Sequence, residues 1–276
     1  MIIIGQFLYL ANNNVSNIRV LCYDTDIIVL LLYYYATLKM TCCVTMQSTS
    51  SKGAFGDIKA TSGKHSKFVS SLLGAHALSG CDSVSYIYNI GKVTIPKLLK
   101  AGQRLQHLGD TMASVDDIET EVTKFVASCY GVNTAKNMSD ARFQVWLKKM
   151  SKPKIISAPE LKSLPSTNFA FQEHVLRAHY QTCIWKSASQ EGPPPMDPLK
   201  YSWKRDELSK LLVPHVEVQM PRCGCATQPI CSTGRCSCSA AGISCTTFCN
   251  CYGELQCNNV NTKVEDESDD DSDDDN

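Results

Sequence analysis

Nine of the fifteen cysteines in this 276-residue chain fall in one stretch, Cys223, Cys225, Cys231, Cys236, Cys238, Cys245, Cys249, Cys251 and Cys257, and a Cys-x-Cys pair occurs in it three times. Side chains at that spacing point the same way and do not easily bond each other, whereas two such thiolates can grip one tetrahedral zinc. Each zinc takes four sulfurs. Three zincs need twelve bonds, and nine cysteines supply twelve when six are terminal and three bridge two metals each. Two separate four-cysteine sites would leave one cysteine over, and that arrangement stands as the alternative. The stretch lacks the helical or strand periodicity of a core-forming segment, so metal must organise it; modules of this size fold when zinc is bound.

The formal charge of zero hides an asymmetry, because residues 261–276 carry nine acidic side chains against Lys263 alone. The rest of the chain then has 26 basic and 18 acidic side chains, a body near +8. A basic body with an acidic tail suits a protein that meets polyanions, the tail either competing for that surface or keeping the chain soluble. The other six cysteines, Cys22, Cys42, Cys43, Cys81, Cys129 and Cys183, are scattered. A disulfide framework is not expected, and the need for reduced thiolates together with the lack of a charged signal-peptide start points to the nucleus or cytoplasm. The longest apolar run, Ile27 to Ala36, is too short for a bilayer and reads as buried structure, so no membrane partner is expected.

Along the chain, residues 1–12 read as a helix, Asn12 to Asn14 as its stop, and Ile18 to Cys22 as a short strand leading into Asp24-Thr25-Asp26. Residues 45–63, rich in Ser, Thr, Gly and Lys, read as an exposed loop, and Lys67 to Ser79 as a helix with an apolar face. Two more helices are expected: 115–129, burying Ile118, Val122, Phe125 and Val126 behind a Ser114 cap, and 140–150, burying Phe143, Trp146 and Met150 behind a Ser139 cap. Proline-interrupted segments around one helix near Phe171 to Trp185 mark 151–220 as a helical linker. The expected organisation is thus 1–150, a domain; 151–220, a linker; 221–258, the cysteine module; and 259–276, a disordered acidic tail.

An acidic pair at the carboxyl end of a buried strand is where an open parallel α/β sheet places ligand groups. Asp24 and Asp26 occupy that position, and Asp82 follows a helix in Gly80-Cys81-Asp82, where Gly80 permits a sharp turn. Three carboxylates meeting at a sheet edge would hold magnesium or manganese, which prefer oxygen ligands. The plainer reading is a helix cap and a solvated rim. His76, six residues before Asp82, reads as a satisfied core histidine.

The segment Tyr23-Asp24-Thr25-Asp26-Ile-Ile-Val-Leu-Leu, followed by His76-Ala-Leu-Ser-Gly80-Cys-Asp82-Ser-Val-Ser and Ile90-Gly91-Lys92, resembles the internal region of flap-endonuclease-like (XPG/PIN-type) nucleases. It is also similar to transposon-associated invertebrate proteins that join such a region to a C-terminal cysteine cluster. The resemblance covers residues 1 to about 100, weakens to about 190 and resumes at Cys223. It implies a PIN-like parallel sheet with helices, a metal at Asp24, Asp26 and Asp82, and a helix-turn-helix that grips DNA backbone through Gly91 and Lys92. Backbone amides with a lysine suit phosphate. In that family another metal is held by carboxylates upstream of the Asp-x-Asp strand. Here no carboxylate precedes Asp24, so half of a two-metal site is expected to be missing, through truncation or decay, and cleavage to be slow or absent.

The spacing C-x-C-x5-C-x4-C-x-C-x6-C-x3-C-x-C-x5-C resembles the CXC domain of tesmin-like chromatin proteins and the pre-SET cluster of histone methyltransferases, both three-zinc, nine-cysteine clusters. CXC domains that bind DNA use basic and aromatic side chains, yet between Cys223 and Cys257 the cation is Arg235, with Arg222 just outside. The cluster can equally be a structural staple. Together these readings give an N-terminally truncated nuclease-like α/β domain and a zinc module, binding DNA or RNA through Gly91, Lys92, Arg222 and Arg235. The alternative is a non-catalytic chromatin or protein-interaction adaptor using the cluster and tail.

Overall fold

The computed structural model describes residues 2–49, 55–88, 90–91, 93–151, 159–190, 192 and 194–215, then 223–226, 230–232, 235–240, 244–245, 249–251 and 257–259. It divides into two compact units, 1–215 and 216–276. The acidic tail lies outside the described residues.

The first unit is mixed α/β and about half helical. Its elements are α1 (Ile2–Asn12), β1 (Asn17–Leu21), α2 (Thr25–Thr37), β2 (Cys43–Gln47), β3 (Phe55–Asp57), α3 (Ile58–Lys64), α4 (Val69–Ser79), α5 (Thr94–Lys100), α6 (Val115–Cys129), α7 (Met138–Met150), α8 (Asn168–Lys186), β4 (Trp203–Arg205) and β5 (Leu212–Pro214). β1 pairs in parallel with β2 from Asn17↔Cys43 to Leu21↔Gln47, and β2 pairs antiparallel with β3, in the order β1-β2-β3. β4 and β5 form a separate antiparallel ribbon. The parallel pair needs a crossover, and the apolar run supplies it as α2, which buries Ile27, Val29, Leu30, Leu31, Leu32, Tyr34 and Tyr35. No helix among the described residues is long and apolar enough to cross a membrane.

Helix α4 sits at the centre. It buries Val69, Ser71, Leu73, Gly74, Ala75, His76, Ala77, Leu78 and Ser79, and a helix with every residue from Leu73 to its end buried needs neighbours all round there. α2, α5 and α8 pack against it. A small residue also admits the segment between α5 and α6 closely: a Cβ on Gly74 would stand 3.1 Å from the Leu108 side chain. The segment expected to be a linker contributes α8, whose Phe171, Val175, Ala178 and Trp185 belong to the core of this unit. Tyr34 on α2 donates to the Trp185 carbonyl at 2.8 Å.

Three expectations need correction. Residues 45–63 are not an exposed loop, because β2, β3 and α3 lie in that span, Asp57 caps α3 by accepting from the Ala60 amide, and Ile58 is fully buried. Helix α7 begins earlier than expected: Asn137, not Ser139, is its cap, accepting from the Asp140 amide at 2.9 Å. Its core face is Met138, Ala141 and Val145, while Phe143 is 57% exposed and Trp146 and Met150 are more than a third exposed. The α6 reading holds, with Ser114 accepting from the Asp117 amide and Ile118, Val122, Phe125 and Val126 buried.

Burial favours the neutral form of two histidines on α8, and at His179 the contact itself requires it. His174 Nε2 donates to the Leu78 carbonyl at 2.9 Å, and the Gly109 amide donates to His179 Nδ1 at 3.1 Å, which requires a lone pair on that nitrogen. Burial lowers both from 6.5 to about 4, Arg177 adding to the effect at His174 and Lys186 at His179. The folded unit therefore binds fewer protons than the unfolded chain between pH 6.5 and 4. Stability present above pH 6.5 is lost as the pH falls toward 4, by on the order of 2 to 3 kcal/mol per histidine at most. Urea melts across this range should show a falling midpoint, and His174→Gln should flatten the fall.

Candidate metal centre

The second unit has no aliphatic core among its described residues. Its buried cluster consists of Cys223, Cys231, Cys236, Cys238, Cys245, Cys249 and Cys251, with Cys225, Ile230 and Cys257 packed against it. Backbone bonds close the stretch on itself: the Asn250 amide donates to the Cys223 carbonyl at 3.0 Å, and the Asn258 amide to the Ile230 carbonyl at 2.8 Å. A single helical turn, α9 (Ser237–Ala240), carries Cys238 inward. Cys231 adopts a left-handed backbone at φ 64°. That costs a residue with a β-carbon roughly 1 kcal/mol or more.

The sulfurs converge. Cys223 Sγ lies 3.5 Å from Cys231, 3.8 Å from Cys245 and 3.6 Å from Cys251. Cys245 lies 3.9 Å from Cys231 and 3.9 Å from Cys236, and Cys238 lies 3.5 Å from Cys249. A disulfide would bring two sulfurs to about 2.0 Å, and all these cysteines are free. Four sulfurs held about 2.3 Å from a tetrahedral zinc stand about 3.8 Å from one another. The observed separations match that edge.

Three quartets have all their sulfurs within 4.8 Å of one another: Cys223, Cys225, Cys231 and Cys236; Cys223, Cys231, Cys245 and Cys251; and Cys223, Cys236, Cys238 and Cys245. The cluster can bind metal. Without a cation, so many thiols cannot ionise side by side. Burial pushes Cys238 up to about 12, with the neighbouring Cys249 adding to it, and drives Cys231 and Cys245 still higher. At Cys236 burial also acts upward but is outweighed by the Ser239 amide and the Cys223 and Cys231 thiols, which bring it to about 7. Metal loading must displace these protons and so weakens as the pH falls.

The carboxylates expected to hold magnesium or manganese have other occupations. Asp24 is the cap of α2, its Oδ1 accepting from the Asp26 amide at 2.9 Å. Asp26 Oδ1 meets His76 Nε2 at 2.7 Å, and the His76 ring stacks on Trp185 at 5.8 Å. His76 is thus buried but tied to the Asp-x-Asp segment, a pairing across fifty residues with no local sequence signal. Asp82 is exposed in a tight turn closed by paired Cys81 and Val84 backbone bonds. Gly80 makes this turn possible, at φ 109° with a would-be Cβ 2.8 Å from Tyr86 Cα. Among the described residues every set of three or more ligand atoms within 4.8 Å is a cysteine set, so Asp24, Asp26 and Asp82 do not form one.

Asp82 and Gly91 line an open cleft of about 740 Å³ with Ser79, Ser85, Tyr86 and Ile90. Arg235 is exposed beside Cys236. Lys92 and Arg222 lie outside the described residues.

If metal replaces a core here, a strong chelator should abolish the protection of the nine thiols against alkylation while leaving the far-ultraviolet signal of residues 1–215 intact. Cys238→Ser should do the same without chelator, since the two units share no ligands. Loss of the first unit's melting transition on chelation would overturn this. These outcomes rest on the sulfur geometry alone, because no family model, no curated protein and no solved structure matches this chain.

Proposed function

We propose that this chain is a zinc-binding, nucleic-acid-binding protein whose C-terminal module folds around three zinc ions. The observation that carries the zinc reading is the mutual approach of three sulfurs, those of Cys223, Cys231 and Cys245. In a ring of three metals each bridging sulfur shares a metal with both other bridges, so the three bridges lie one tetrahedral edge apart. Cys223, Cys231 and Cys245 are mutually separated by 3.5, 3.8 and 3.9 Å. With these as bridges, Cys225 and Cys236 complete the metal between Cys223 and Cys231. Cys238 and Cys249 complete the one between Cys223 and Cys245. Cys251 and Cys257 complete the one between Cys231 and Cys245, consistent with Cys257 interacting with both those thiols. All nine are used, six terminal and three bridging. Zinc there supplies structure, since four sulfurs leave no open position for a substrate.

For nucleic acid, the support is the sequence resemblance to flap nucleases, the basic body and the cleft beside Asp82. Gly91 lines this cleft, and Tyr86 is 76% exposed on its rim, where bases can stack. The reading is of binding by a nuclease-derived unit rather than cleavage, because Asp24 and Asp26 are engaged in a cap and a histidine contact. A chromatin or protein-interaction adaptor is the competing reading.

Elemental analysis of the purified full chain should give about three zinc ions. A value near two, with one alkylatable thiol in the loaded protein, would sink the bridged cluster. Binding of a single-stranded or flap DNA should weaken steeply between 50 and 200 mM salt, as phosphate contacts dictate. No binding at any salt would favour the adaptor.

A further inference from the structure

Resting on the three-metal reading, we infer that Asn259 is a positioning residue that holds the bridging sulfur of Cys245 by a side-chain N–H···S hydrogen bond. Asn259 lies beyond the last cysteine, yet it is fully buried, and its Nδ2 stands 3.2 Å from Cys245 Sγ. The amide nitrogen is the end that must face the sulfur, because its oxygen would set a lone pair against a thiolate.

The electrostatics give this contact a purpose. Nine thiolates and three divalent zincs leave the cluster with a net charge of −3. Among the described residues of the module the cation is Arg235, and it is exposed. A buried anion needs donors, and hydrogen bonds to charged acceptors are the stronger ones. N–H donors to cluster sulfur among the described residues include the Ser239 amide, 3.4 Å from Cys236, and the Asn259 side chain. A backbone amide is fixed by the fold, whereas Asn259 is a choice of residue. Partners of this kind orient ligands and tune metal affinity about 10- to 100-fold. In the proposed ring Cys245 bridges two metals, standing 3.8 Å from Cys223 and 3.9 Å from Cys231, so the donor acts at the junction of those two and does not reach the third, between Cys223 and Cys231.

The test uses the full chain, loaded with zinc and separately with cadmium-113. Asn259→Asp keeps the shape but replaces the donor by an anion, and Asn259→Ala removes the donor. Both should still bind three metals at saturation. Both should release zinc to a chromogenic chelator at least tenfold faster than the parent protein, the aspartate faster than the alanine. Two of the three cadmium resonances should shift, and the third should stay. Parent-like release with unmoved resonances would show Asn259 to be filler, and equal movement of all three would show a general packing role; either overturns the proposal. Should the parent protein itself hold fewer than three metals, the cluster reading falls first and the proposal with it, which the metal count reports independently of the variants.

Discussion

From Leu73 onward every residue of helix α4 is buried, and the arrangement of the first unit follows from that constraint. Each side of a helical stretch so buried must meet a partner, and α2, α5 and α8 supply them. Polar groups carried inward must then be satisfied, which explains the bonds that cross this centre. His76 meets Asp26, His174 Nε2 meets the Leu78 carbonyl and Ser79 Oγ meets the His76 carbonyl. The turn leaving α4 is equally tight, since Gly80 lies against the Tyr86 backbone. The cleft beside Asp82 is the surface of this turn, so its shape is inherited from the way α4 ends.

The second unit solves the same problem of an interior by different chemistry. About forty residues cannot remove enough apolar surface from water to offset chain entropy, and among the described residues the buried side chains are seven cysteines and Asn259. Thiols at 3.5 to 3.9 Å attract each other weakly when neutral and repel when ionised, so the packing is favourable only with cations between them. The left-handed backbone at Cys231 fits this view, because coordination can hold a residue where local preference would not.

How much was legible in the sequence depended on whether local pattern and tertiary partner agreed. For α6 they did: one apolar stripe, a serine cap and acidic residues in the first turn specify the same helix. For α7 the sequence offers two stripes at similar spacing, Met138, Ala141 and Val145 on one side and Phe143, Trp146 and Met150 on the other. Bulk favours the second, yet the neighbouring helices α6 and α8 select the smaller residues, which allow closer approach. β2 escaped notice because its inward positions amount to Val44 and Met46, too few for a clear alternation. The metal centre was readable because thiol count and spacing are properties of the sequence itself. The Asn259 contact was not, since asparagine after a final cysteine resembles any turn residue.

Charge divides along the chain in a way that bears on where a polyanion can sit. Residues 1–215 hold 24 Lys and Arg against 16 Asp and Glu, a surplus of eight positive charges. Residues 216–260 hold Arg222 and Arg235 against Glu217 and Glu254, so in the proposed three-zinc form this stretch would be negative by about three charges. The tail adds nine acidic side chains against Lys263. By this balance a polyanion would be attracted by the charge of residues 1–215 and repelled by that of the proposed zinc module and the tail, with screening over about 10 Å at ordinary salt. On these grounds the proposed zinc module is poorly suited to be the main contact of the proposed nucleic-acid binding, and Arg235 would add at most a single phosphate interaction. The body that carries the cleft also carries the charge, and the tail is the segment of the chain best able to compete for it.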